Sequence, residues 1–295
     1  VDESAPASSL WADAWRTLRK NPMFIISAVL IVFIIFVALF PGVMTKQNPN
    51  YCTLENSLEP ASKGHPFGFD LQGCDVYSRV VHGTRTSLSV GVFATVLVVL
   101  LGTLIGALSG FFGGWVDIVL QRITEIVACL PFLPMAMILT SIIGNSMTES
   151  ARIALIMVIL GILSWPSLAR LVRAQVLAER EQEFVTAANA MGVKRSVIVF
   201  KHIIPNVISV IIVSATLDFA YCMLTESTLS FLGFGVKLPR PTWGNMLNGC
   251  VSSVVIQNYW WRWVFPAIML GICVICINMV GDGLRDAIDP KSNER

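Results

Sequence analysis

Six stretches of the chain are almost free of Asp, Glu, Lys and Arg: Met23 to Phe40, Leu88 to Leu108, Ile126 to Gly144, Ile153 to Ala169, Val207 to Thr225 and Trp263 to Val280. Each is about 17 to 21 residues long, enough to carry a helix across ~30 Å of hydrocarbon. Only the fifth contains a charge, Asp218. This pattern predicts an all-α polytopic membrane bundle of six transmembrane helices. The composition agrees, with 55% hydrophobic and 14% charged residues among 295. The net charge of +2 gives no reason to expect a nucleic-acid partner.

Orientation follows from where the basic residues fall. With both termini in the cytoplasm, thirteen of the twenty-one Lys and Arg lie inside, six of them between Arg170 and Lys201. Excess Lys and Arg in short loops marks the cytoplasmic side, although long outer segments weaken the vote. The resulting division is a cytoplasmic amphipathic segment over 1–22, a first span over 23–40, and an outer loop over 41–87. A core then covers 88–282, including a cytoplasmic segment at 170–206, and a cytoplasmic tail covers 283–295. Leu10, Trp11, Ala14, Trp15 and Leu18 give the first segment a helical apolar face suited to the headgroup layer. The first apolar block exceeds a signal-peptide core of about 7–15 residues and lacks a small-x-small site after it, so it reads as an uncleaved helix.

Within the spans, Gly102, Gly106 and Gly110 fall four apart on one helix face, which lets another helix backbone approach closely. Pro131, Pro134, Pro166 and Pro266 each remove a backbone donor inside hydrocarbon, which fits either a transport path or ordinary kinks. Asp218 lies about 16 Å into its span at ~1.5 Å per residue, near the midplane. A carboxylate there either lines a cavity or pairs with polar groups of another subunit. Glu226, two turns on, is expected on the same side, and Met223 lies between them; all three are candidates for a translocation path. Cys52 and Cys74 bracket a Pro- and Gly-rich outer loop on an oxidising face, and a disulfide between them is expected. Cys273 and Cys276 match C-x-x-C only by spelling, being inside a span. His65 and His82 have no metal-ligand spacing with these cysteines, so no metal site is expected.

The 170–206 segment is charged and helix-prone. A helix from about Glu183 to Met191 stopped by Gly192, then a second ending at Pro205, makes a short helix-turn-helix. Its sequence Glu183-Phe-Val-Thr-Ala-Ala-Asn-Ala-Met-Gly192, with Pro205 thirteen residues later, resembles the EAA loop of permease subunits in binding-protein-dependent ABC importers. Thr186 and His202 depart from that pattern. His202-Ile-Ile-Pro-Asn206 resembles the peptide-importer branch, as do His65-Pro-Phe-Gly-Phe-Asp-Leu-Gln-Gly-Cys-Asp75, Gly110-Phe-Phe-Gly-Gly-Trp115, Glu226-Ser-Thr-Leu-Ser-Phe-Leu-Gly-Phe-Gly235, Pro241-Thr-Trp-Gly-Asn-Met-Leu247 and Gly281-Asp-Gly-Leu-Arg-Asp-Ala-Ile-Asp-Pro290. Cys74 stands where that family usually has Arg.

The resemblance implies a type I ABC importer permease fold in a bacterial cytoplasmic membrane. It implies a dipeptide or oligopeptide cargo, with nickel or another small solute as the alternative. The partners it implies are a homologous second permease forming a heterodimer, two ATPase subunits that bind ATP and Mg, and an external substrate-binding protein. The expected ATPase dock comprises Glu183, Phe184, Ala187, Ala188, Met191, Gly192, Val193, Lys194 and Arg195. The chain contains no G-x-x-x-x-G-K-[ST], so no phosphate-cradling loop of that kind and no cofactor of its own are expected, and it is read as a non-catalytic subunit. An ion-coupled secondary transporter would need several midplane ionisable groups and internal repeats, and neither is evident.

Overall fold

The computed structural model of the chain describes residues 15–144 and 146–288. The long helices are α1 (Pro22–Leu39), α2 (Val76–Phe112), α3 (Gly114–Cys129), α4 (Phe132–Gly144), α5 (Glu149–Arg180), α7 (Arg195–Phe231) and α9 (Trp261–Ile288). Between them lie the short helices α6 (Glu183–Ala190) and α8 (Trp243–Leu247). Among the described residues five helices are individually long and apolar enough to span a membrane, and α3 with α4 makes a sixth crossing only as a bent pair.

The apolar block Ile126–Gly144, in which Pro131 and Pro134 each remove a backbone donor, is thus two helices. The chain bends by 82° between α3 and α4. Pro131 sits at the bend, where it removes a backbone N–H and its ring obstructs the preceding turn. The other spans are longer than their apolar blocks. α2 begins at Val76, so residues 76–87, placed in the loop by their polarity, are helical. The polar turns at its start are stable because they pack on the loop: Arg79 is buried, 3.2 Å from the Cys74 sulfur and 3.4 Å from Asp70. Apolar length thus measures the hydrocarbon crossed, and helices continue beyond it wherever protein covers them. The tail boundary moves for the same reason, since α9 runs to Ile288. Of the amphipathic segment over 1–22, residues 1–14 lie outside the described residues. Leu18 is buried with Ala287 beside Leu284 and Phe24, which seats the start of the described chain on the end of α9.

Caps define where the helices begin. Asn21 accepts from the Met23 and Phe24 N–H groups at 3.0 and 3.3 Å, and Pro22 occupies the first helical position, where a missing N–H costs nothing. Asp75 accepts from Ser78 N–H at 2.7 Å to cap α2 and also meets His65 Nδ1 at 2.9 Å. A Cys52–Cys74 disulfide and isolated bridges hold the loop before α2 in one shape against that helix.

The core is centred on α2 and α5. A Cβ on Gly102 would lie 2.9 Å from Leu168 Cβ, on Gly106 2.5 Å from Ala169 O, and on Gly110 2.9 Å from Arg173 O. The three glycines therefore form the seam along which the two backbones meet. Val90, Ala94, Val98, Ile156, Leu160 and Val172 fill the rest of it. A second cluster joins α1, α7 and α9 through Ile34, Met223, Cys273 and Ile277 around Trp243 of α8. The Trp243 indole donates to Val80 O at 3.2 Å and its backbone N–H donates to Ser87 Oγ at 3.1 Å, which ties the outer segment to α2.

Substituting Gly106→Ala should push α2 and α5 apart and lower stability by about 1–3 kcal/mol, the range for overpacking a tight interior. Gly42→Ala, which meets nothing within 4 Å, should be near neutral. Thermal unfolding of the two variants in detergent, followed by size exclusion, measures the difference.

Candidate functional site

The first candidate site is α6 and its flanks. α5 ends at Arg180, and Gln182 then takes an extended conformation from which α6 starts with Glu183 in its first turn, where a negative charge favours the helix dipole. The stop is fully formed. Gly192 has φ +73°, its N–H donates to Asn189 O at 3.0 Å, and Val193 N–H donates to Ala188 O at 3.1 Å. These two bonds with a left-handed glycine constitute a Schellman motif.

α6 has an inner and an outer face. Val185 and Ala188 are buried in the main core, which also contains Ile198, Val199 and Ile203, and Val193 packs half-buried against the same cluster. Glu183, Phe184, Ala187, Met191, Gly192, Lys194 and Arg195 are exposed, Met191 by 76%. Ala188 is therefore corrected from the expected docking set: at 5% exposure it anchors the helix to its own protein. The second helix of the segment also differs from expectation. It does not end at Pro205 but runs on as α7, because residues Ile198–Ile203 form a π-turn with Ile204 N–H donating to Val199 O. The wider turn accommodates the donor that Pro205 lacks, so α6 is attached directly to a span at each end.

An ion pair not anticipated from the sequence braces this region. Arg173 of α5 meets Asp117 of α3 in a two-point contact, Nε to Oδ1 at 2.7 Å and a terminal nitrogen to Oδ2 at 2.6 Å. Ser109 of α2 donates to the same carboxylate, and Gln121 donates to Ser109 Oγ. Arg180 donates to the carbonyls of Gly110 and Phe111 at 3.3 and 3.4 Å. The ends of α2, α3 and α5 therefore move together, and α5 carries α6. An acid three residues after a Gly-Gly pair, in the first turn of α3, was the available signal for Asp117.

A cavity of about 440 Å³ opens where α3 breaks from α4. Leu130 and Phe132 line it from the break, Ser164, Pro166, Ser167 and Arg170 from α5, and Asp218 and Tyr221 from α7. Met223 and Glu226 are corrected from the expected path, since neither lines this cavity. Met223 is fully buried in the α1–α7–α9 cluster, with the Cys273 sulfur 3.9 Å from its own. Glu226 has 0% exposure and accepts from Ser230 Oγ at 2.6 Å and Ser227 Oγ at 3.4 Å. Eight residues leave about 80° beyond two full turns, enough to rotate Glu226 from the cavity into the protein.

Residues 102–294 match the family described as the inner membrane component of binding-protein-dependent transport systems. The chain belongs to this family. Its N-terminal residues 9–61 also match the N-terminal transmembrane domain of oligopeptide transport permease C. The chain is 38% identical over 290 residues to a dipeptide transport system permease protein of Alkalihalophilus pseudofirmus, covering 98% of this chain and 93% of that one. It is 38% identical over 288 residues to an oligopeptide transport system permease protein of Bacillus subtilis, covering 98% and 92%. The Haemophilus influenzae oligopeptide permease protein gives 38% over 287 residues, covering 96% and 89%. In this multi-pass permease, α6 and the Asp218 cavity are the two candidate functional regions.

In this permease, Gly192→Val should break the Schellman stop through backbone strain alone, because no atom lies within 4 Å of a Cβ at that position. A left-handed β-branched residue costs roughly 1–2 kcal/mol. Amide hydrogen exchange should therefore rise about tenfold at residues 192 and 193, with Gly192→Asn showing a smaller rise.

Proposed function

We propose that this permease is one of two membrane subunits of a bacterial importer for short peptides, with both termini in the cytoplasm. In this reading two ATPase subunits bind ATP and Mg beneath it, a homologous permease completes the channel, and an external binding protein delivers the peptide. α6 is the coupling helix that enters a groove of an ATPase subunit. The peptide cargo is supported by the relatives, which are dipeptide and oligopeptide permeases by name.

The observation that carries the docking role is the two-faced character of α6. Val185 and Ala188 fix it to the core while Phe184, Ala187 and Met191 are exposed at the junction of two long spans. Ala187 keeps the outer face thin and Met191 is a flexible apolar contact. When the ATPase pair closes on ATP, α6 is displaced laterally. The clamp of Arg173 and Arg180 passes that displacement to α2 and α3. The Leu130–Pro131 break then changes angle, and the cavity exchanges access between the two sides. ATP acts through its different affinity for the two arrangements.

Purification through a tag on this chain should bring two ATPase subunits and a second permease, and the reconstituted complex should take up a dipeptide only with the binding protein and ATP. Ala187→Glu should cut ATPase co-purification at least tenfold. Gly192→Val should retain the ATPases but lose uptake. ATPases bound equally well by Ala187→Glu would place the dock elsewhere.

A further inference from the structure

Asp218 Oδ2 and Ser164 Oγ are both buried, and among the described residues neither has a hydrogen-bond partner. Native proteins leave few such atoms unpaired, and an unpaired carboxylate oxygen at membrane depth is the costliest kind. Both residues line the same cavity. Arg170 lines it too, yet no ion pair forms between Arg170 and Asp218. A carboxylate and a guanidinium thus share one chamber without neutralising each other.

We infer that this chamber is a transient binding site for the two charged ends of a short zwitterionic peptide, with the ammonium group held by Asp218 and Ser164 and the carboxylate by Arg170. The inference deepens the peptide-importer reading and rests on it. The spacing is suitable. Six residues of α5 separate Ser164 from Arg170, about 9 Å along the helix at ~1.5 Å per residue. An extended peptide advances ~3.3–3.6 Å per residue, so two or three residues bridge that distance. The volume of about 440 Å³ falls in the range of small-ligand pockets, roughly 300–1,000 Å³.

The polarity is suitable as well. Ala128 and Leu130 bring the C-terminal end of α3 to the cavity, and the partial negative charge of that end favours a cation. Asp218 Oδ2 and Ser164 Oγ have almost no accessible surface, so a small rotation of both side chains brings them to the ammonium group, which donates to both and supplies the partners they lack. The carboxylate accepts from the guanidinium of Arg170, whose planar fork matches it at two points. Phe132 and Tyr221, in edge contact with centroids 6.1 Å apart, give the apolar wall against which varied side chains rest. Because no pocket for one particular side chain is built, the site reads the peptide's termini and tolerates its sequence.

The test uses the complete reconstituted complex with Ser167→Cys as a reporter, since Ser167 is exposed in the cavity, and with the exposed Cys129 changed to Ser. Modification rates are measured with a cationic aminoethyl and an anionic sulfonatoethyl methanethiosulfonate. Asp218→Asn should lower the cation-to-anion rate ratio at least threefold, Arg170→Gln should raise it at least threefold, and Asp218→Glu should keep it. In parallel, without the reporter, dipeptide uptake should fall at least tenfold in Asp218→Asn and in Arg170→Gln and be largely kept in Asp218→Glu. A rate ratio that moves with neither substitution, or wild-type uptake in Asp218→Asn, overturns the site. If the unsubstituted complex moves no dipeptide while the rate ratios shift as stated, the cargo assignment falls and the charge-paired chamber stands. Arg170→Gln, at an exposed position, keeps the test decisive should Asp218→Asn fail to assemble.

Discussion

The close approach of α2 and α5 along Gly102, Gly106 and Gly110 is the contact on which the other arrangements depend. Inside hydrocarbon there is little hydrophobic drive to bring helices together, so van der Waals packing between smooth surfaces has to do it. Once the two backbones touch, Arg173 and Arg180 of α5 come within reach of Asp117 and of the last carbonyls of α2. That clamp orients α3 across the ends of α2 and α5 nearest α6. It also fixes the end of α5 from which α6 starts. A side chain larger than hydrogen in the seam would therefore loosen the clamp, the orientation of α3 and the seating of α6 together.

The break between α3 and α4 follows from a second constraint, the need to satisfy backbone polar groups at membrane depth. Pro131 removes one donor and the chain turns by 82°, and the exposed residues 128–131 at the break border an open cavity, where water can satisfy the freed carbonyls. α5 and α7 line this open cavity, and among the lining residues the polar side chains that could serve a passing solute are Ser164, Ser167, Arg170, Asp218 and Tyr221. The same elements that carry α6 thus carry the cavity. α5 contributes Arg170 to the chamber and Arg173 to the clamp within one helical turn, and α7 joins the π-turn beneath α6 to Asp218 without interruption.

Features with a local cause were legible in the sequence. The glycine seam follows from small residues four apart, and the stop of α6 from one glycine after a run of helix formers. The existence of the spans follows from apolar length alone. Features set by tertiary geometry were not legible. Asp117 and Arg173 are 56 residues apart, and neither has a neighbour that announces the other. Helix ends at Val76 and Ile288 depend on the outer loop and on the protein's own surface, which apolar periodicity does not report. Ala188 and Glu226 each lie on the expected helix, but their faces are set by which neighbour packs there. Ala188 faces Ile198 and Val199, and Glu226 faces Ser230.

Coupling between α6 and the Asp218 cavity is the central claim, and accessibility of the cavity from the two sides measures it directly. In a complete complex whose only reactive thiol is Ser167→Cys, a membrane-impermeant thiol reagent is applied to either side, without nucleotide and with ATP trapped. Side preference should reverse between the two states in the wild-type background and should fail to reverse when Gly192 is replaced by Val. Equal modification from the same side in both nucleotide states, or an unaltered reversal in the Gly192→Val complex, would contradict it.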